Sequence, residues 1–187
     1  PMDVKKDHID FLSADGHKWM LSVEGLGGFY ISKEVVDKVR PVTMGWGNVI
    51  NAANFMDYDF TLQADAKKFE EGTPNTMSIH AFGAALELLL EVGIDNIEKR
   101  VMSLGDCVIG ELKSRGIKIY SSTLLSERSG NISFALDKDV GRLYSFMLEN
   151  KVKLTVRDGL VRFSPHFYNN EEEILKVFDL LDSYLKK

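Results

Sequence analysis

The sequence lacks several features that whole classes of protein require. No apolar run approaches the roughly 20 residues that span a bilayer, and the first residues do not resemble a signal peptide. Cys107 is the single cysteine, so no internal disulfide can form and a cytoplasmic, reducing location is indicated. The net charge is -5, without any long Lys/Arg cluster. We therefore expect neither a membrane nor a nucleic acid as partner.

The sequence also lacks the residue patterns of two kinds of ligand site, a metal site and a dinucleotide site. His80 and His166 have no partners at metal-ligand spacing, so we interpret both as structural and expect no metal. Gly27 and Gly28 run into a predicted strand, whereas the glycines of a dinucleotide site lie between a strand and a helix. These two glycines predict a close backbone approach instead.

The first part of the chain has short elements and a long irregular stretch. Strands are predicted at 9–12 and 27–32, and a short helix at 33–39 ends before Pro41. Residues 42–68 show little periodicity, which favours a functional segment in a compact protein. The chain starts with Pro1 and reaches a strand almost at once, without upstream sequence for partner strands. We therefore expect the C-terminal part of a longer protein.

The second part is regular. A helical stripe from Thr76 ends at Gly93, and the next helix is predicted over Asp95–Lys113 with Asp95 as its cap and Glu98 completing a capping box. Further predicted elements are strands at 117–120 and 131–136, a helix at 140–149, a hairpin 153–156/160–163 around Asp158-Gly159, and a last helix capped by Asn170 with Glu173. Residues from about 94 onward thus predict an α/β layer, a sheet with helices on one face.

Lys18 stands where the first strand runs out, in "SADGHKWML". A structural lysine that extends past Trp19 to water is the simpler interpretation. Burial among apolar side chains would instead ease loss of the ammonium proton and give a nucleophilic amine. His17 offers a donor for phosphate, and Gly16 leaves space for a ligand. Together these residues favour a lysine that forms a Schiff base with an aldehyde cofactor.

Three separated motifs resemble one family. "SADGHKWMLSVEGLGGFYISKEVV", "FEEGTPN" and "VKLTVRDGLVRFSPHFYNNEEEI" are similar to segments of the class V aminotransferases, which are fold type I pyridoxal-phosphate enzymes. The resemblance implies an α/β fold in which residues 1–75 are the end of the large cofactor domain. Residues 76–187, including the linking helix, would be the smaller C-terminal α/β domain.

The resemblance also implies roles for individual residues. Lys18 would hold pyridoxal 5'-phosphate and carry protons at the substrate Cα, and His17 would bind the cofactor phosphate. Arg162 lies where the family grips the substrate carboxylate, and a guanidinium fork suits that group. A surface arginine on a strand is the alternative. Arg157 is a weaker second candidate.

Further implied contacts lie around the irregular stretch. Gly45, Trp46 and Asn48 would reach the cofactor phosphate of a neighbouring subunit in a homodimer, although plain loop packing explains Trp46 or Asn48 equally well. Thr73, in the segment that links the two domains, is a possible cross-subunit contact. Asp15 is assigned to the cofactor site, with His17 or a backbone amide as its expected hydrogen-bond partner.

The chain departs from the cysteine desulfurases within that family. Asp15 stands three residues before the lysine, where desulfurases often have serine or threonine. The tight turn in "RDGLVRF" has no reactive cysteine, and Cys107 lies on a predicted helix. The family's acid for the pyridine nitrogen and its stacking aromatic residue have no counterpart before Lys18. We therefore expect this chain alone to be inactive or crippled.

The function implied is that of a class V aminotransferase-like enzyme acting on an α-amino acid. Aminotransferase, epimerase and C–S lyase chemistry all remain open. The alternatives are a cysteine desulfurase proper and a non-catalytic dimerisation or scaffold domain derived from such an enzyme.

Overall fold

The computed structural model describes residues 1–186 and divides the chain into two compact units, Pro1–Glu91 and Val92–Lys187. The boundary between the two units lies at the end of the first long helix. The predicted boundary at 75/76 separates the domains of the whole enzyme, and it stays a prediction. Within the described residues, no single helix could cross a bilayer. The consecutive helices Thr76–Val92 and Ile94–Ser114 pass such a test together, by length and composition only.

The first unit begins with a two-stranded antiparallel hairpin. Strand β1 (Phe11–Asp15) pairs with β2 (Gly27–Ile31), and Asp15 lies opposite Gly27 at the end of the ladder. The predicted strand at 9–12 was too early, because the ladder to β2 continues to Asp15. A Cβ at Gly27 would collide with the Ala14 carbonyl oxygen, which confirms the close approach predicted there; at Gly28 the space is open.

The chain between the hairpin and the first long helix contains only short 3-10 turns. The predicted helix at 33–39 was wrong, since only Val36–Lys38 form a 3-10 turn. The β-branched Val35 and Val36 and the nearby Pro41 disfavour a longer helix. Residues 42–68 are irregular as predicted, with 3-10 turns at Trp46–Asn48 and Ala66–Phe69 and one isolated bridge between Val49 and Leu62.

Helix α1 (Thr76–Val92) ends where the sequence predicts. Gly93 follows with φ of 87°, a left-handed conformation that stops a helix. Helix α2 (Ile94–Ser114) then begins one residue earlier than predicted. Gly93 is its N-cap without any side-chain cap, so the predicted Asp95–Glu98 capping box was wrong and Asp95 lies in the first turn.

The second unit has a sheet with strand order β3–β5–β4, all antiparallel: β3 (Ile132–Phe134), β5 (Leu160–Phe163) and β4 (Thr155–Arg157). The predicted strands at 131–136 and 153–156 are therefore shorter in the structure. The predicted strand at 117–120 forms only an isolated bridge between Ile119 and Phe134. The β4–β5 turn is confirmed, because Asp158 and Gly159 both have positive φ.

One hydrophobic core holds the second unit together. Alternate residues of β3 and β5 are buried, and they share a cluster with apolar residues of α2, of α3 (Val140–Glu149) and of α4 (Glu171–Leu185). Phe163 meets Phe134 and Phe178 edge to face, with ring centroids 5.0 and 5.7 Å apart. The predicted Asn170–Glu173 capping box starts α4. The helices thus cover one sheet face and leave Arg162 on the other.

Candidate active site

Lys18 lies in the turn that follows β1, as predicted, but its surroundings are not those predicted. Its side chain is 63% exposed and its Nζ pairs with the Asp15 carboxylate three residues earlier. The expectation of an amine desolvated by apolar neighbours was therefore wrong for this chain. Trp19 is itself partly exposed. Lys18 is a reachable, ion-paired ammonium group.

Asp15 is the counter-ion of Lys18. The expected partners of Asp15, His17 or a backbone amide, are not the ones found, since its hydrogen-bonded partner is the lysine. The hydrogen bond from Lys18 and the charge of that lysine lower the pKa of Asp15, with a smaller contribution from His17. The carboxylate is thus negative at neutral pH, next to an exposed imidazole.

The backbone of this turn is tightly constrained. Gly16 is buried, and a Cβ there would stand 2.9 Å from the Leu26 carbonyl oxygen. The Ser22 N–H donates to the Gly16 carbonyl at 2.9 Å, while Ser22 Oγ is buried without a partner in the described chain. Leu21 has φ of 55°, a conformation that costs a residue with a Cβ free energy. The turn is therefore held in one strained arrangement.

The segment with Trp46 and Asn48 packs against residues 70–72. A Cβ at Gly45 or Gly47 would collide with a carbonyl oxygen of Glu71 or Glu70. Asn48 is 0% exposed; its Oδ1 accepts from the Gly45 N–H, and its Nδ2 donates to the Lys68 carbonyl at 2.7 Å. Both ends of the amide are therefore engaged inside the loop.

We interpret Asn48 as the residue that fixes this loop, and its contact with the cofactor phosphate of a neighbouring subunit stays a prediction. Trp46 is about half exposed and touches Phe55 edge to face, with ring centroids 6.3 Å apart. Trp46 remains free to meet a ligand or a second subunit. Thr73 is exposed in the segment before α1. No contact tests the roles predicted for these two residues.

A buried lysine in the same region was missed from the sequence. Lys68 is 4% exposed, its Nζ donates to the Val36 carbonyl oxygen, and it lies 5.6 Å from the Phe69 ring centroid. Its backbone carbonyl holds Asn48, so one residue ties two loops together. A lysine in an irregular stretch carries no sequence signal for burial, since burial here depends on packing between distant segments.

Arg162 has few hydrogen-bond partners for its guanidinium among the described residues. It lies on central strand β5, opposite Ser133 on β3 and Thr155 on β4, so the three side chains form a row on the face that the helices leave open. Its Nη2 reaches Thr155 Oγ1 only at 3.5 Å, and its Nε is buried without a hydrogen-bond partner among residues 1–186. The guanidinium therefore retains unused donors.

Arg157 shares this open face, at the end of β4 opposite Leu160, but is exposed. It forms no ion pair within the described part of the chain and sits next to the β4–β5 turn. The row of Ser133, Arg162 and Thr155 was not foreseen. It follows from the strand register, which a single sequence does not specify.

Cys107 lies on α2, and its surroundings suppress thiolate formation. Burial raises the pKa of the thiol, and the negative charges of Glu111 and Glu171 raise it further. Residues 1–186 contain no group of three metal-ligating side chains. His80 Nδ1 donates a hydrogen bond to the Thr76 carbonyl oxygen within α1, and buried His166 stacks on Tyr168.

Comparisons with known proteins give a consistent result. The family model described as aminotransferase class-V matches residues 1–177. An uncharacterized aminotransferase of Bacillus subtilis is 27% identical over 96% of this chain and 46% of its own length. A cysteine desulfurase of Haloferax volcanii is 28% identical over 98% of this chain and 45% of its own length.

A solved structure of similar fold completes the comparison. The apo cysteine desulfurase from Thermococcus onnurineus superimposes with a TM-score of 0.87 at 24% identity, covering 98% of this chain and 48% of that one. At this identity the likeness shows the fold alone, and it confirms the predicted α/β, fold type I architecture. The chain spans about half the length of the curated relatives it matches.

Proposed function

Because the chain belongs to the aminotransferase class-V family, we propose that it supplies the cofactor lysine and the C-terminal domain of a pyridoxal-phosphate-dependent enzyme that acts on an α-amino acid. The chain spans about half the length of its relatives, so the activity proposed is that of the whole enzyme. Alone, this chain is proposed to be inactive.

The observation that carries the proposal is the unused guanidinium of Arg162. An arginine in the middle of a sheet normally has its donors satisfied, because an unpaired buried donor costs about 1–3 kcal/mol. Here Nε is buried without a partner among the described residues, and Ser133 and Thr155 flank the group. A bidentate carboxylate satisfies this fork, which supports the role of Arg162 as the grip for the substrate carboxylate.

The residues around Lys18 fit the proposed cofactor. A reachable primary amine, an exposed imidazole at His17 and the orphaned hydroxyl of Ser22 lie in one turn. Lys18 would hold the aldehyde end of pyridoxal phosphate and His17 its phosphate. When bound, that cofactor supplies an electron sink for negative charge at the substrate Cα. The Asp15 carboxylate, already paired with Lys18, does not suit a phosphate.

Within the proposed reaction this chain has two tasks. Arg162 orients the amino acid through its carboxylate, which fixes the bond to be broken at Cα or Cβ. The Lys18 amine takes and returns the proton at Cα as a general base and acid. The strained, tightly packed turn that carries Lys18 limits where this amine can reach.

Aminotransferase, epimerase and C–S lyase chemistry all fit these two tasks. Desulfurase activity is the second candidate because curated relatives bear that name. It requires a reachable, readily ionised thiol. Cys107 is half-buried on α2 with its pKa raised, and the Asp158-Gly159 turn offers no cysteine. These features favour the other chemistries over a desulfurase.

A homodimer and a cytoplasmic location complete the proposal. The loop with Phe55, Met56, Tyr58 and Phe60 exposes these large apolar side chains, which supports a second copy as the cover. The single cysteine supports a reducing compartment. Trp46 and Thr73 remain the proposed cross-subunit contacts.

The test compares two arginines of the second unit in the whole enzyme. Arg162→Gln removes the carboxylate grip and is expected to cost about 2 kcal/mol of substrate binding, or about a 30-fold rise in KM for the amino acid. Arg142→Gln removes the same charge from an exposed site on α3 and is expected to change KM less than twofold. Cofactor absorbance should be the same in both. Equal KM values for the two variants would overturn the assignment of Arg162.

A further inference from the structure

The second unit contains a cavity that none of the candidate active-site residues lines. Its volume is about 380 Å³, and it opens between residues 150–154, the end of β5 and the first turns of α4. Pockets for small molecules usually measure about 300–1,000 Å³. The cavity is therefore large enough for a compact organic ligand.

The floor of this cavity is part of the hydrophobic core. Val108, Leu154, Phe163 and Ile174 line it, and all four are buried members of the core cluster. An apolar group placed here would replace water against core side chains, which is favourable by roughly 25 cal/mol for each Å² removed from water. The floor thus selects a ligand with an apolar body.

The rim of the cavity is positively charged. Lys151, Lys153 and Lys176 line it, all three are exposed, and none pairs with a carboxylate among residues 1–186. Glu173 is the one carboxylate that the cavity lining offers within the described chain. Three ammonium groups therefore face a single acid, although the whole chain has a net charge of -5.

The Glu173 carboxylate is already hydrogen-bonded at the start of α4. Its Oε2 accepts hydrogen bonds from Asn169 Nδ2 at 3.1 Å and from the Asn170 N–H at 3.0 Å, in the cap of α4. These bonds lower the pKa of Glu173, so its charge persists at neutral pH but is held at the helix start. The three lysines remain uncompensated, and an incoming anion would be attracted to them.

We propose that this cavity is a binding site for a small organic anion with an apolar body, such as a medium-chain carboxylate. The carboxylate lies among Lys151, Lys153 and Lys176, and the apolar body lies on Phe163, Ile174 and their neighbours. A ligand held against the core binds the folded state and not the unfolded chain, so it raises the stability of the second unit. The cavity lining includes neither Lys18 nor Arg162, and the proposal does not depend on the proposed enzymatic function.

The experiment titrates the full chain with octanoate, while amide chemical shifts map the residues perturbed and thermal unfolding measures stability. We expect shifts at residues 150–154 and 173–177 and a higher unfolding temperature. Octan-1-ol, which has the same apolar body without the charge, is expected to bind about tenfold more weakly. Three exposed charge pairs together account for about a tenfold difference in affinity.

Two triple variants test whether octanoate binding depends on the three rim lysines or on the positive charge of the unit in general. The triple variant K151Q/K153Q/K176Q should weaken octanoate about tenfold and leave octan-1-ol unchanged. K113Q/K138Q/K186Q removes three other exposed lysines of the unit and should leave both ligands unchanged. The proposal is overturned if octanoate perturbs other residues or none, if octan-1-ol binds the unaltered chain as tightly, or if both triple variants weaken octanoate equally.

Discussion

The two units of the chain bury very different amounts of apolar surface. Fifteen of the buried hydrophobic residues belong to residues 92–186, whereas the first unit has three: Ile31, Val36 and Leu89. Conversely, seventeen large hydrophobic side chains are exposed in the first unit and eight in the second. The second unit therefore has its own core, and the first presents surfaces that a stable protein normally covers.

This contrast matches the way the proposed functional residues are distributed. The second unit offers a rigid sheet on which Arg162 is fixed by neighbouring strands. The first offers Lys18 on an exposed turn and Trp46 on a loop with apolar neighbours. Arg162 is therefore positioned by contacts within this chain. A residue on the first unit requires further surface, which we propose a second copy and the rest of the enzyme to provide.

The largest expected difference between the units comes from two identical truncations. Leu104→Ala, at a 0% exposed site in the second core, should lower the free energy of unfolding by about 3–4 kcal/mol. Leu89→Ala, at a 5% exposed site in the first unit, should cost about 1–2 kcal/mol because few buried apolar groups surround it. Hydrogen exchange of α1 and α2 amides in urea measures the two units separately. Equal losses of unfolding free energy in the two variants would contradict the difference in packing between the units.

The second prediction concerns the exposed apolar loop of the first unit. Met56, which is 91% exposed, and Phe60 are expected to be covered by a second copy. Met56→Asp with Phe60→Asp should therefore raise the dissociation constant of the dimer at least about 100-fold, since burying each such side chain is worth about 1.5–3 kcal/mol. Sedimentation equilibrium measures this constant.

The control for that prediction is Leu124→Asp with Leu125→Asp. These residues are similarly exposed in the second unit and lie outside the proposed dimer surface. This pair should leave the dissociation constant unchanged. If only the control pair raises the dissociation constant, the dimer interface lies on the second unit instead.

The smallest effect concerns the Asp15–Lys18 pair. Lys18 lowers the pKa of Asp15, so the ionised pair is present at neutral pH and is lost as the pH falls through the lowered pKa of Asp15. Lys18→Ala should raise the pKa of Asp15 towards its ordinary value, measured by NMR of the carboxyl carbon. Lys33→Ala, at another exposed lysine of the unit, should not move it. An unmoved Asp15 titration in Lys18→Ala would refute the pairing.

Elements with strong local signals could be predicted from the sequence. Helix α3 has the predicted bounds, the Asp158-Gly159 turn closes its hairpin, and the Asn170–Glu173 box starts α4. Each depends on a few neighbouring residues whose backbone preferences agree. Gly93 was predicted to end α1, but its role as the N-cap of α2 was missed because an expected side-chain cap at Asp95 competed with it.

What could not be predicted depends on contacts between distant segments. The burial of Asn48 depends on Lys68, and the row around Arg162 depends on the register of three strands. The exposure of Lys18 was predicted wrongly because apolar neighbours in sequence, such as Trp19, do not enclose the amine in space. The family motifs indicated the family correctly even where the local physical reasoning failed.

The most direct test identifies the lysine whose amine reacts with the cofactor. The whole enzyme is incubated with pyridoxal phosphate, reduced with borohydride and digested, and peptide mass spectrometry locates the added mass. We expect a single modified residue, Lys18, and loss of that modification together with activity in Lys18→Ala. Modification of another lysine in an active enzyme, or undiminished activity of Lys18→Ala, would contradict this expectation.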